Sequence, residues 1–184
     1  MPSTHSLSDP KAYHILSYGT LLGATVFQTF FGGPLAYKAL PRAQFSTLQT
    51  AIFPPFFTLQ TVLPAVLALT FPGDRIAGTA IRSNSGFFGL LADANTWSAL
   101  APIAVMFGTS IVNLLYFGPA TTKVMKQRKH QETRDGRKYN ELPKSPEMQK
   151  LNSSFGRLHG ISSLSNVVAL AAMIFYGFAL AEKL

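Results

Sequence analysis

Residues 158–181 read LHGISSLSNVVALAAMIFYGFALA: 24 consecutive residues, between Arg157 and Glu182, without Asp, Glu, Lys or Arg. A helix needs roughly 20 mostly apolar residues to cross about 30 Å of hydrocarbon. A helix on the surface of a soluble protein keeps a charged or polar face instead. Working outward, three more intervals have the same character: 26 residues between Lys11 and Lys38, 31 between Arg42 and Asp74, and 29 between Asp93 and Lys123. The remaining interval, Ser83 to Ala92, has only ten. The pattern predicts an all-α fold, an integral membrane bundle of four transmembrane helices forming a single domain. Composition agrees. Charged residues make up 13% of the 184, against about 25% in average soluble domains.

Punctuation places the spans. The first is expected from about Ala12 to Tyr37, loosened at its end by Gly32, Gly33 and Pro34. Leu40-Pro41-Arg42 marks a turn. Phe45, Leu48 and Ile52 then fall at i, i+3 and i+7, with Gln44, Thr47 and Gln49 between them. This predicts an interfacial amphipathic helix before the second span, broken by Pro54-Pro55. The second span then runs from about Pro55 to Phe71, kinked near Pro64. A single long, bent helix from Gln44 is the competing reading. The third span runs from about Asn95 to Phe117, with Trp97 at its start, where amphipathic rings prefer to sit. A basic loop over 119–157 follows, and the fourth span covers about Leu158 to Ala181. Thr121 to Arg134 has the composition to extend the third helix into solvent, and Gly136, Pro143 and Pro146 make the rest a loop. The polar start, Met1 to Pro10, does not resemble a secretory signal.

Charge sets an expected orientation. The two connections after the first and third spans carry twelve Lys or Arg, and the other side carries four. Basic residues stay cytoplasmic, so both termini are expected on the luminal or exterior face of an endomembrane or plasma membrane. The net charge of +8 therefore reflects topology, not nucleic-acid binding. Lys123, Lys126, Arg128 and Lys129 lie just past the third span and suit an anionic lipid surface.

Polar residues within hydrocarbon usually face a bundle interior or a cavity. His14 and Gln28 stand in the first span, Gln60 in the second and Asn113 in the third. In the fourth, His159, Ser162, Ser163 and Asn166 sit at i, i+3, i+4 and i+7 and share one helical stripe. This stripe reads either as interhelical hydrogen bonding or as a binding cleft. Gly19 and Gly23, four apart, allow close approach of another helix. His14 and His159 begin antiparallel spans and so belong at opposite faces, roughly 30 Å apart. That separation excludes one haem between them. With no cysteine, thiolate metal sites and cysteine nucleophiles are excluded. No phosphate-cradling glycine loop or zinc-binding HExxH spacing is present. We expect no cofactor and no metal.

Three stretches carry a family resemblance. The first is Ser17-Tyr18-Gly19-Thr20 through Gly33, with Leu40-Pro41-Arg42, Phe45 and Phe53-Pro54. The second is Asn113-Leu114 with Gly118-Pro119 and Thr121. The third is Lys138-Tyr139, Phe155 and the run His159-Gly160-Ile161-Ser162-Ser163-Leu164-Ser165-Asn166. Together they make the chain similar to the transmembrane protein 205-like family of small four-span membrane proteins. The resemblance implies a multipass protein of secretory-pathway or plasma membranes and assigns no reaction or cofactor. The function expected is non-enzymatic support of membrane transport or trafficking. Two alternatives stand beside it: a membrane-embedded enzyme or redox protein handling lipid or haem, and an assembly subunit that binds a helix of another protein.

Overall fold

The computed structural model describes residues 9–75 and 82–183. The expectation for residues 1–8 lies outside the described residues. Four helical rods run up and down. The first consists of α1 (Pro10–Val26), a π-helical turn (Phe27–Gly32) and α2 (Gly33–Ala39). It begins with Pro10 in the first turn, where its missing N–H costs nothing. The Asp9 carboxylate caps it by accepting from the Lys11 N–H at 3.0 Å. The second rod is α3 (Arg42–Leu69). After it come a two-residue antiparallel ladder, β1 (Asp74–Arg75) with β2 (Arg82–Ser83), and the short helix α4 (Gly86–Leu90). The third rod joins α5 (Ala101–Val112), a π-helical turn (Asn113–Phe117) and α6 (Gly118–Asp135). The fourth is α7 (Pro146–Lys183), 38 residues long.

Three helices are long and apolar enough to cross a membrane: Arg42–Leu69, Asp93–Asp135 and Pro146–Lys183, with mean hydropathies of 1.7, 1.8 and 1.9 over their best windows. Burial supports the same conclusion. Large apolar side chains such as Phe27, Phe30, Leu115 and Phe178 face outward, while His14, Gln60, Asn95 and Asn113 are fully enclosed. Water as the surrounding solvent favours the reverse, because burying polar groups costs free energy unless they find partners. This is the architecture of a membrane protein.

Two expectations need correction. No break follows Phe53: α3 is one helix of 28 residues that contains Pro54, Pro55 and Pro64. The competing single-helix reading describes the structure. Proline removes a backbone donor and crowds the preceding turn. Here the helix stays continuous because its inner face, from Gln49 through Phe57, Gln60, Pro64 and Leu67, is packed along the whole length. Gln49 turns inward and Leu48 outward, opposite to the interfacial pattern. In the basic segment 119–157 the third helix is extended as its composition allows, but the remainder is not all loop. α6 runs on to Asp135, where Gly136 adopts the left-handed conformation (φ 62°) that ends helices. α7 starts at Pro146, well before Leu158; it packs on α6, and Met148 is buried in its first turn. Only 136–145 is left as a connection.

α1 packs on α3, α3 on α5, and α5 on α7. The main apolar core joins Leu21, Leu67, Phe71, Met106, Met173 and Tyr176. The described chain ends, Asp9 and Lys183, lie at the same end of the bundle, where His14 meets Tyr176.

Candidate functional site: an amide layer between two tied ends

His14 organises one end. The Thr70 hydroxyl donates to the Val66 carbonyl at 2.7 Å, which uses its single hydrogen. It must therefore accept from His14 Nδ1–H, 3.1 Å away. His14 Nε2 is then the acceptor, and the Tyr176 hydroxyl donates to it at 2.7 Å. Donor logic alone thus places the proton on Nδ1. Tyr18 donates to the Met173 carbonyl at 3.0 Å and meets the Tyr176 ring edge-on. Beside them the Lys183 ammonium bonds Asp74 at 2.5 Å and Asn95 at 3.0 Å and lies over the Phe71 ring. This ties the end of α7 to the loop after α3.

His14 also supplies a common level. Counting ten residues back from Thr70 along α3 gives Gln60, and ten back from Tyr176 along α7 gives Asn166. Both are about 15 Å along the helix axis at 1.5 Å per residue. Thr25 on α1 is eleven residues from His14, about 16 Å. These residues form one layer near the middle of the bundle. Gln60 Nε2 donates to Thr25 Oγ1 at 3.1 Å. Asn113 Nδ2 donates to Asn166 Oδ1 at 3.2 Å and to the Ser162 carbonyl at 3.3 Å. All four rods contribute. Gln60 Oε1 and Asn113 Oδ1 are fully enclosed and accept from no partner among the described residues. Asn113 also opens the π-helical turn of the third rod, an irregularity frequent at functional sites.

At the other end, rings and guanidinium groups alternate. Arg42 lies over Tyr37 (5.8 Å) and Tyr139 (5.2 Å), and Arg128 over Tyr139 (4.0 Å) and Phe155 (4.4 Å). Phe155 stacks on His159 at 5.5 Å. The stack joins all four rods. The Tyr139 N–H donates to Glu132 at 2.8 Å, and Asn152 donates to the Tyr139 carbonyl at 2.9 Å. Burial lowers the Arg128 pKa from its ordinary value; Glu132 opposes that shift and Arg42 adds to it.

The sequence-predicted residues therefore divide. Asn113 meets Asn166 and the Ser162 carbonyl, and Gln60, at the same level, meets Thr25. His159 stays exposed and joins the stack instead, and Ser163 is half-buried. Gln28 sits on the π-helical turn of the first rod, with Oε1 against Gly32. Gly19 and Gly23 face outward, with nothing in this chain within 4 Å of an added Cβ. Close approaches occur instead at Gly118, where a Cβ would lie 2.8 Å from the Asn113 carbonyl and 3.1 Å from Phe57, and at Gly177 against Tyr18. Arg128 is withdrawn from the basic row, whose Lys123, Lys126 and Lys129 remain exposed. Sequence reading missed Tyr176, Thr70, Tyr18 and the Lys183 group. Tyrosine and threonine are ordinary in apolar runs, and only folding shows which face inward.

Residues 16–130 match the family model described as a domain of unknown function, DUF4149. The chain belongs to the DUF4149 family. The matched region holds His14's partner Thr70, Gln60 and Asn113, and ends within the basic segment, past Lys129. A DUF4149-family chain of this kind is also similar to xanthocillin biosynthesis cluster protein D of Aspergillus fumigatus. The two are 30% identical over 179 residues, covering 97% of this chain and 94% of that protein. No solved structure matches the chain.

Proposed function

We propose that this DUF4149-family chain is a four-span membrane protein that supports transport or trafficking without catalysing a reaction. The observation that carries the reading is the mid-depth amide layer, with enclosed acceptor oxygens on Gln60 and Asn113. Such groups are costly in hydrocarbon and usually mark a bundle interior through which polar matter is held or passed. The first rod counts as the fourth span because Phe27, Phe30, Phe31 and Leu35 all face outward. The twelve-to-four distribution of basic residues favours a cytoplasmic stack end and luminal or exterior termini, in an endomembrane or plasma membrane. Lys123, Lys126 and Lys129 then face the anionic leaflet. The likeness to transmembrane protein 205-like proteins supports the same assignment. A relative named for a xanthocillin biosynthesis cluster suggests service to small-molecule production.

The test is deletion in the source organism, with cell-associated and secreted small molecules compared. The reading expects their partition to shift while the total pool is unchanged. A lost product with an accumulated precursor sinks it and favours the membrane-embedded enzyme that handles lipid or haem. The outward turn of Gly19 and Gly23 favours a further role, contact with a helix of another membrane protein. Crosslinking from those positions in native membrane, compared with Gly19→Leu, tests that role.

A further inference from the structure

The arginine–aromatic stack lies where the apolar helix α3 begins, opposite the His14 end. Its two guanidinium groups both lie against a single ring, Tyr139, at 5.2 and 4.0 Å from its centre. Like charges brought together repel, yet among the described residues no carboxylate lies within ion-pair distance of either arginine. Glu132, the nearest acid with an effect on Arg128, spends one oxygen on the Tyr139 N–H. Arg128 Nε is enclosed and donates to no partner. The Arg128 guanidinium carbon lies 4.0 Å from the centre of the Tyr139 ring and 4.4 Å from that of Phe155. Among the described residues neither guanidinium group donates a hydrogen bond to a protein acceptor. That planar fork matches the oxygens of a phosphate. Two such forks beside aromatic rings, with no ion pair among the described residues, suit one.

We infer that Arg42 and Arg128, braced by Tyr37, Tyr139 and Phe155, bind the phosphate of an anionic phospholipid headgroup at the bilayer surface. The inference rests on the membrane-spanning reading above, since that reading puts the start of α3 at headgroup level. A phosphomonoester headgroup suits the clamp, because it offers three oxygens to two forks. Bound there, the lipid would fasten α3, α6 and α7 to one another at their surface end. This mode differs from attraction of the exposed lysine row, which needs only diffuse charge.

The test uses the full chain in neutral detergent and native mass spectrometry with added phosphatidic acid or phosphatidylcholine. Wild type is expected to retain phosphatidic acid at least about tenfold more strongly, in line with charge-assisted hydrogen bonds. Arg42→Gln and Arg128→Gln should each abolish most of that preference, and Lys150→Gln, an exposed residue outside the lysine row, should leave it unchanged. Arg42→Lys and Arg128→Lys, which keep the charge and lose the fork, should also weaken it with circular dichroism unaltered. Equal retention of both lipids, or an equal loss in Lys150→Gln, overturns the clamp. Displacement of phosphatidic acid by millimolar inorganic phosphate, together with no preference among lipids, assigns the forks to a soluble phosphate and overturns the lipid assignment. Single-cysteine labelling of the cysteine-free chain reports topology separately. A lost preference with four spans intact overturns the clamp alone, and altered topology overturns the reading beneath it.

Discussion

Tyr176→Phe is the most informative substitution at the His14 end. It keeps the ring, and with it the edge contacts to His14 and Tyr18 at 5.9 Å. It removes only the hydroxyl that donates to His14 Nε2 at 2.7 Å. His14 is fully enclosed, so no solvent can replace that donor. Leaving a buried acceptor unsatisfied costs about 1–3 kcal/mol, whereas hydrogen bonds between membrane helices average about 0.6 kcal/mol with a maximum near 1.7. The two scales together put the loss at about 1–2 kcal/mol. His14→Leu should cost as much or more, since it strands both Thr70 and Tyr176. The double variant His14→Leu/Tyr176→Phe removes donor and acceptor together and should cost less than the sum of the singles by about 1 kcal/mol. Unfolding of the purified protein by sodium dodecyl sulfate in mixed micelles, followed by circular dichroism, measures all three. Strict additivity would refute the donor–acceptor assignment, as would a neutral Tyr176→Phe.

Gly118→Val should destabilise by about 1–3 kcal/mol through overpacking, because its Cβ meets the Asn113 carbonyl and Phe57; Gly108→Ala, with open space around it, should be near neutral in the same assay. Gly19→Leu and Gly23→Leu should leave unfolding of the isolated chain unchanged, and a large loss at either would show that this face packs within the chain. Asn166→Leu should lower stability by about 0.6 kcal/mol, one interhelical bond, while Leu164→Ile, on the outward face, should have no effect; equal losses would contradict the layer. For topology, Asn152 should carry no glycan; an acceptor sequon inserted near Ser83 should be glycosylated in secretory membranes and one near Gly136 should not, and a glycan at the Gly136 site reverses the orientation.

The helical class and the apolar rods were legible from charge-free length, because hydrocarbon tolerates neither charge nor unpaired backbone over some 20 residues. Helix continuity was less legible. Pro54-Pro55 reads locally as a break, and only packing along Gln49, Phe57 and Gln60 shows that the helix survives it. The spacing of Ser162 and Asn166 put them on one stripe, but spacing cannot say which part of a stripe turns inward. Asn113 draws those two in, whereas His159, one turn earlier, stacks outward on Phe155. Gly19 and Gly23 have the spacing of a packing motif, yet the close approaches fall at Gly118 and Gly177, which match no motif. What the sequence by itself determined is the solvent: long uncharged runs can be satisfied only in lipid. What only the tertiary structure decided is which polar groups meet, as His14 meets Thr70 and Tyr176, and Arg42 and Arg128 meet Tyr139. Those pairings join residues 56 to 162 positions apart for His14, and no local periodicity encodes the rotation of one helix against another.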